Sequence, residues 1–153
     1  MTLRDVRAPL LDLATVLARE AEPLALAGNA PLSLDSADSV CFVEEGTVEV
    51  FAVPLDGSGP RTHLCTVPAG QLLCGAEPDG NGLGFLAVGH TGTRLSRLDL
   101  SRLQELAQDP DTAADLAGRL DAWLIRLAAG VFPAAVPRVF EELRAGINIY
   151  IEE

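Results

Sequence analysis

Between Ser39 and Gly75, SVCFVEEGTVEVFAVPLDGSGPRTHLCTVPAGQLLCG, three strand-like runs and their turn signals follow one another within 37 residues. Val40, Cys41, Phe42 and Val43 form a continuous apolar run that stops at Glu44-Glu45-Gly46. Val48, Val50 and Ala52 then alternate with Thr47, Glu49 and Phe51, the period-two pattern of a half-buried strand, so the two runs predict a hairpin. A loop containing Pro54, Asp56, Gly57, Ser58, Gly59 and Pro60 separates this hairpin from a third run, His63-Leu64-Cys65-Thr66-Val67. Pro68-Ala69-Gly70 turns the chain again.

The flanks have other periods. Upstream, residues 3–22 carry Leu10, Leu13, Ala14 and Leu17 at spacings of three and four, which predicts an amphipathic helix interrupted near Pro9 and closed by Pro23. Gly28 to Leu32 reads as an extended lead-in, with Leu34, Val40 and Phe42 facing inward. Downstream, Glu77 to Gly82 is a turn, Phe85 to Val88 a fully buried strand, and Gly89 to Gly92 another turn. Thr93, Leu95 and Leu98 mark a last strand ending near Asp99. Roughly six to eight short strands between 32 and 98, punctuated by turns every 8–12 residues or so, favour a closed roll or sandwich over a parallel sheet. From Leu100 the period is helical. Ser101 can cap a short helix through Gln108, and Asp111 or Thr112 a second one with Leu116, Leu120, Trp123, Leu124 and Leu127 on one stripe and Gly130 as its C-cap. Pro133 and Pro137 flank a joint, RVFEELRAG is helical, and Ile147 to Ile151 alternates like a strand. That strand either completes a sheet begun earlier or opens the next section of a longer protein.

The expected class is therefore α+β: a β-roll or jelly roll with an N-terminal helix and C-terminal helices. Its parts are 1–31 (helix and lead-in), 32–99 (roll), 100–146 (helices) and 147–153 (start of a strand), counted together as one domain. A length of 153 residues with 48% hydrophobic residues suits one core.

Charge narrows the partners. All 11 basic residues are Arg, against 22 Asp plus Glu, for a net charge of −11. Phosphate backbones are held by clustered cations, and here arginines are scattered singly among acids, which argues against nucleic acid. The helical segment after Leu100 also lacks the basic recognition helix that transcription regulation would require. No apolar run is long enough to cross a bilayer and no signal peptide opens the chain, so no membrane insertion by this chain and a cytoplasmic location are expected. Cys41, Cys65 and Cys74 lie singly in apolar runs and read as buried free thiols.

Candidate chemistry is sparse. A metal site needs converging ligands, and the chain owns only His63 and His90, without a His-x-His pair; neither a metal nor another cofactor is expected. Ser36, Ser39, Ser58, Ser96 and Ser101 lack a glycine-framed elbow, neither histidine has a neighbour that marks it as a base, and Asp99 and Asp121 suit helix ends or solvated surface. The chain is expected not to be an enzyme.

An opening helix, a roll containing EEGTVEVF and VPAGQLLCG, and a helical C-terminal segment together resemble the cyclic-nucleotide-binding-like fold, a double-stranded β-helix followed by helices. The sharper resemblance is to the N-terminal cyclic-nucleotide-like domain of NHLM-type bacteriocin export ABC transporters. It rests on Val43–Leu55, Gly59–Gly75 and Leu120–Leu127, with VEVFAVPL, GPRTHL and LDAWL as its most specific parts. The resemblance implies a cytoplasmic accessory domain ahead of transmembrane and ATPase portions, itself without ATPase activity. No phosphate-binding Gly-x-x-x-x-Gly-Lys loop occurs, and the chain has no Lys at all.

In cyclic-nucleotide binders of this fold, the resemblance implies a Gly-Glu-Leu/Ile segment for the ribose and a Pro-Arg-Ala/Thr arginine for the cyclic phosphate. Here Gly75-Ala76-Glu77-Pro78 and Thr91-Gly92-Thr93-Arg94 stand at those places. Gly75, Glu77 and a displaced Arg94 are thus the ligand-site candidates, in a degenerate nucleotide site. The expected function is a non-catalytic accessory or interaction domain, regulatory or peptide-recognising, of a bacteriocin (RiPP) exporter; the alternative is a true cyclic-nucleotide sensor. Expected partners are a bacteriocin precursor or leader peptide, the rest of a transporter, and a second copy. Strand addition at a roll edge or packing along Leu116, Leu120, Trp123 and Leu127 are the two physical routes.

Overall fold

The computed structural model describes residues 13–26, 30–78 and 82–132. Its elements are α1 (Leu13–Glu20), β1 (Glu22–Ala25), β2 (Leu32–Ser33), β3 (Ser39–Glu45), β4 (Thr47–Pro54), β5 (Thr62–Pro68), β6 (Leu72–Cys74), β7 (Leu83–Gly89), β8 (Arg94–Asp99), α2 (Leu100–Leu106) and α3 (Pro110–Val131). Two four-stranded antiparallel sheets, ordered β1-β8-β3-β6 and β2-β7-β4-β5, face each other as a jelly roll.

The apolar patterns follow from what covers each face. β3 is continuously apolar because both of its faces are covered. Cys41 and Val43 point between the sheets into a core with Val48, Val50, Val67, Leu73 and Leu95. Val40 and Phe42 join Leu13, Leu17, Leu98, Leu103 and Leu116 in a second core beneath the helices. β4 has only one covered face, so it alternates: Val48 and Val50 are fully buried while Thr47 and Glu49 are not. α3 packs on β5 and β6, the edge strands where the two sheets open toward each other, and inserts Trp123 into the inter-sheet core.

Several expected boundaries move. The segment around Pro23, expected to close a helix, is strand β1, paired with β8 through Glu22–Arg97 to Ala25–Arg94. Proline is tolerated there because β1 is an edge strand. Leu86 and Val88 are half-buried rather than fully buried because they alternate to the outer face of the β2-β7-β4-β5 sheet, and Phe85 is half-buried on the inner face, against the inter-sheet core. α2 starts after Asp99 rather than at Ser101. α3 starts at Pro110 with Asp109 as its N-cap, whose carboxylate accepts from the Thr112 backbone N–H at 2.9 Å. Gly130 lies inside the last turn, and the helix continues to Val131.

Cys41 and Cys65 are buried and Cys74 partly so, all as free thiols. Burial pushes all three thiols up, Cys74 to about 11. No helix among the described residues is long and apolar enough to cross a membrane. The expected helix start at 3–12, the lead-in at 27–29 and everything from Pro133 on, including the expected helix 138–146 and strand 147–151, lie outside the described residues.

Candidate functional site

β4 sets up a cavity by running past its partner sheet. Val48 and Val50 face the core, and by strand alternation Ala52 and Pro54 continue the same face. Their cross-strand partners extend it: Ala52 pairs with Thr62 and Phe85, and Pro54 pairs with Leu83. These residues floor a cavity of about 600 Å³, with Leu64 and Pro60 on one side, Ala76 and Glu77 across from the β4–β5 side, and Gly130 and Val131 of the last turn of α3 completing the wall. Its size falls in the range of small-molecule sites.

Two glycines make this end possible by close backbone approach. A β-bulge at Leu64 shifts the β4–β5 register between Val50 and Phe51 and carries the Leu64 carbonyl toward α3. A Cβ on Gly130 would stand 2.1 Å from that carbonyl oxygen, so the helix reaches the strand only as glycine. Gly75 is pressed likewise against the Ser36 carbonyl, where a Cβ would lie at 2.1 Å. Gly75 borders a separate small cavity near Ser36 and Arg97 and does not line the large one.

Among the described residues lining the large cavity, Glu77 is the charged one and none is a cation. Arg61 stands between the lining residues Pro60 and Thr62 and is not itself part of the wall. Arg94 lies at the far end of β7, which is 7 residues long, on the order of 20 Å away. There it pairs with Glu45 at 2.7 Å and Glu44 at 4.0 Å. The structure therefore brings Glu77 to the cavity and leaves Gly75 beside it and Arg94 at the opposite end.

Of the stripe singled out on α3, Leu116, Leu120, Trp123 and Leu127 face the chain's own roll, while Leu124, expected with them, points to solvent. Trp123 is 3% exposed in the inter-sheet core with Leu127 packed against that core, and Leu116 lies in the second core with Leu120 against it. The exposed large apolar residues of this region are instead Leu124, Ile125, Val131 and Phe132.

A second polar cluster sits on the outer face of the β4 sheet. The Glu49 carboxylate lies 2.6 Å from His63 Nε2 and 2.9 Å from His90 Nε2, and accepts from Thr66 Oγ1 at 2.7 Å. Partial desolvation opposes its ionisation, but the hydrogen bonds from Thr66, His63 and His90 outweigh that and hold Glu49 below the usual carboxylate range. The strand register could have foreshadowed the meeting of Glu49 with His63, because both occupy the outward positions of paired strands. Among the described residues, no group of His, Cys, Asp or Glu is arranged to hold a metal ion.

The two sheets and their flanking helices form the cyclic-nucleotide-binding-like jelly roll. Reduced, ligand-free CprK matches with a TM-score of 0.58 at 16% identity, over 86% of this chain and 66% of that chain. Oxidized CprK in complex with o-chlorophenolacetic acid matches with 0.59 at 17% identity, over 86% and 59%. A double mutant of CooA from Carboxydothermus hydrogenoformans matches with 0.61 at 17% identity, over 96% and 97%. At these identities the likeness is one of fold, and this chain spans less than two thirds of those CprK chains. No protein-family model matches the sequence, and no curated protein matches it. CooA is a CO-dependent transcription factor, so these neighbours lend no support to the exclusion of nucleic acid, and none of them points to an exporter.

Proposed function

We propose that this chain is a non-catalytic recognition module whose open-end cavity takes a ligand other than a cyclic nucleotide. The carrying observation is the cavity wall: among its described residues Glu77 bears the charge and no cation faces it. A cyclic phosphate entering there would lose water beside a carboxylate and gain no counter-ion, which is unfavourable by several kcal/mol in order of magnitude. The fold itself accommodates small molecules in its neighbours, one of which is complexed with o-chlorophenolacetic acid and another CO-dependent. That favours a sensing role, and leaves a cyclic-nucleotide sensor as the second reading.

The biological setting we propose is that of a regulatory or peptide-recognising accessory domain of a bacteriocin (RiPP) export ABC transporter, working in the cytoplasm. The support is the resemblance carried by Val43–Leu55, Gly59–Gly75 and Leu120–Leu127. Pairing of two copies would use the outward face of α3, where Leu124 and Ile125 are 58% and 69% exposed, since Trp123 is committed to the roll.

Calorimetric titration with cAMP and cGMP tests the ligand reading. No saturable binding below millimolar concentration is expected. Micromolar binding of either nucleotide overturns it in favour of the sensor.

A further inference from the structure

We infer that the open-end cavity selects a positively charged, otherwise apolar peptide segment, with Glu77 as the counter-ion. This rests on the reading of that cavity as the binding site and goes on to name its ligand class.

The wall is chemically divided. Ala52, Pro54, Leu83, Phe85 and Val131 offer carbon surface, so most of any occupant must be apolar to repay its desolvation. Glu77 is exposed at one side, on the non-helical stretch that follows β6, where its carboxylate meets both the cavity and water. Among the described residues that carboxylate makes no hydrogen bond or ion pair with the protein, in contrast to Glu45, Glu49 and Glu20, each of which holds a cation or histidine. An anionic ligand head would be repelled, a neutral one would gain a single hydrogen bond, and an ammonium or guanidinium group would gain a charge-assisted one. The net charge of −11 on the chain adds long-range attraction for the same sign of ligand. A volume of about 600 Å³ admits a few residues of peptide rather than a folded domain.

Three N-acetylated tripeptide amides make the probe: Leu-Leu-Lys, Leu-Leu-norleucine and Leu-Leu-Glu, titrated against the full chain by calorimetry at low and physiological salt. The lysine peptide is expected to bind about 2–5-fold more tightly than the norleucine peptide, and the glutamate peptide more weakly than both. Glu77→Gln is expected to remove the lysine preference and leave norleucine affinity within about twofold. Ala52→Phe, which fills the floor from β4, is expected to abolish binding of all three, with circular dichroism confirming the fold. Equal binding of the three peptides, a lysine preference that survives Glu77→Gln, or no peptide binding at all overturns the inference. None of those outcomes restores a cyclic-nucleotide site, which the nucleotide titration decides separately.

Discussion

The two ends of the roll are built on opposite terms. At the end where β3 turns into β4, the polar groups of Thr47, His90, Thr93 and Arg94 are paired within the fold. Thr93 Oγ1 donates to the Thr47 carbonyl at 2.9 Å and accepts from its N–H at 3.2 Å, His90 N–H donates to the same carbonyl at 2.9 Å, and Arg94 pairs with Glu45. At the end where β4 meets β5, the strands run on without a facing sheet, and the space they enclose is apolar and open with a carboxylate at its side. The difference teaches that one end closes the fold and the other is available to a ligand.

Four measurements would break or sharpen that contrast. Leu95→Ala, at a position 1% exposed beside the closed end, should cost about 2–5 kcal/mol in urea unfolding, whereas Leu83→Ala, at 50% exposure on the open end, should cost under about 0.5 kcal/mol. Comparable losses would erase the distinction. Gly130→Ala should cost about 1–3 kcal/mol, with faster hydrogen exchange in the last turn of α3, because the added methyl cannot share space with the Leu64 carbonyl. Gly118→Ala, on the same helix with nothing within 4 Å of its would-be Cβ, should instead raise stability by about 0.8–1 kcal/mol. If both glycine variants move in one direction, helix propensity alone governs α3 and the close contact is dispensable.

A further, small effect is in acid. Glu49 is held below the usual carboxylate range, so the stability it contributes is present above the unfolded pKa and is lost as pH falls through the lower folded value. Glu49→Gln should therefore lower the melting temperature slightly at pH 7, by an amount equivalent to less than about 1 kcal/mol, and the gap to the parent should narrow as pH falls through that lower folded value. A gap that does not narrow in acid would assign the loss to something other than the Glu49 charge.

The roll was legible because its sequence patterns report coverage directly. The continuous run Val40 to Val43 marks a strand, which the structure covers on both faces, and the alternation at Val48 and Val50 marks one covered on a single face. β1 was hidden because Glu22-Pro23-Leu24-Ala25 is too short to show a period and its proline masks an edge strand. The caps at Asp99 and Asp109 were misplaced by a few residues because several Ser, Thr and Asp residues compete for each helix start. Glu77 could be nominated from the sequence, but the cavity could not. It depends on the bulge at Leu64 and on Gly130 reaching it, a contact between residues more than sixty positions apart that no local pattern encodes.

The two buried thiols, Cys41 and Cys65, give the molecule an internal clock. Burial raises both, so each is protonated at neutral pH and shielded by its strand. Alkylation by an external reagent therefore waits for the strand to open. Cys65, which shares the inter-sheet core with Trp123, is expected to react when α3 lifts from β5, and Cys41 when β3 parts from its neighbours, whereas the partly exposed Cys74 is expected to react ahead of both.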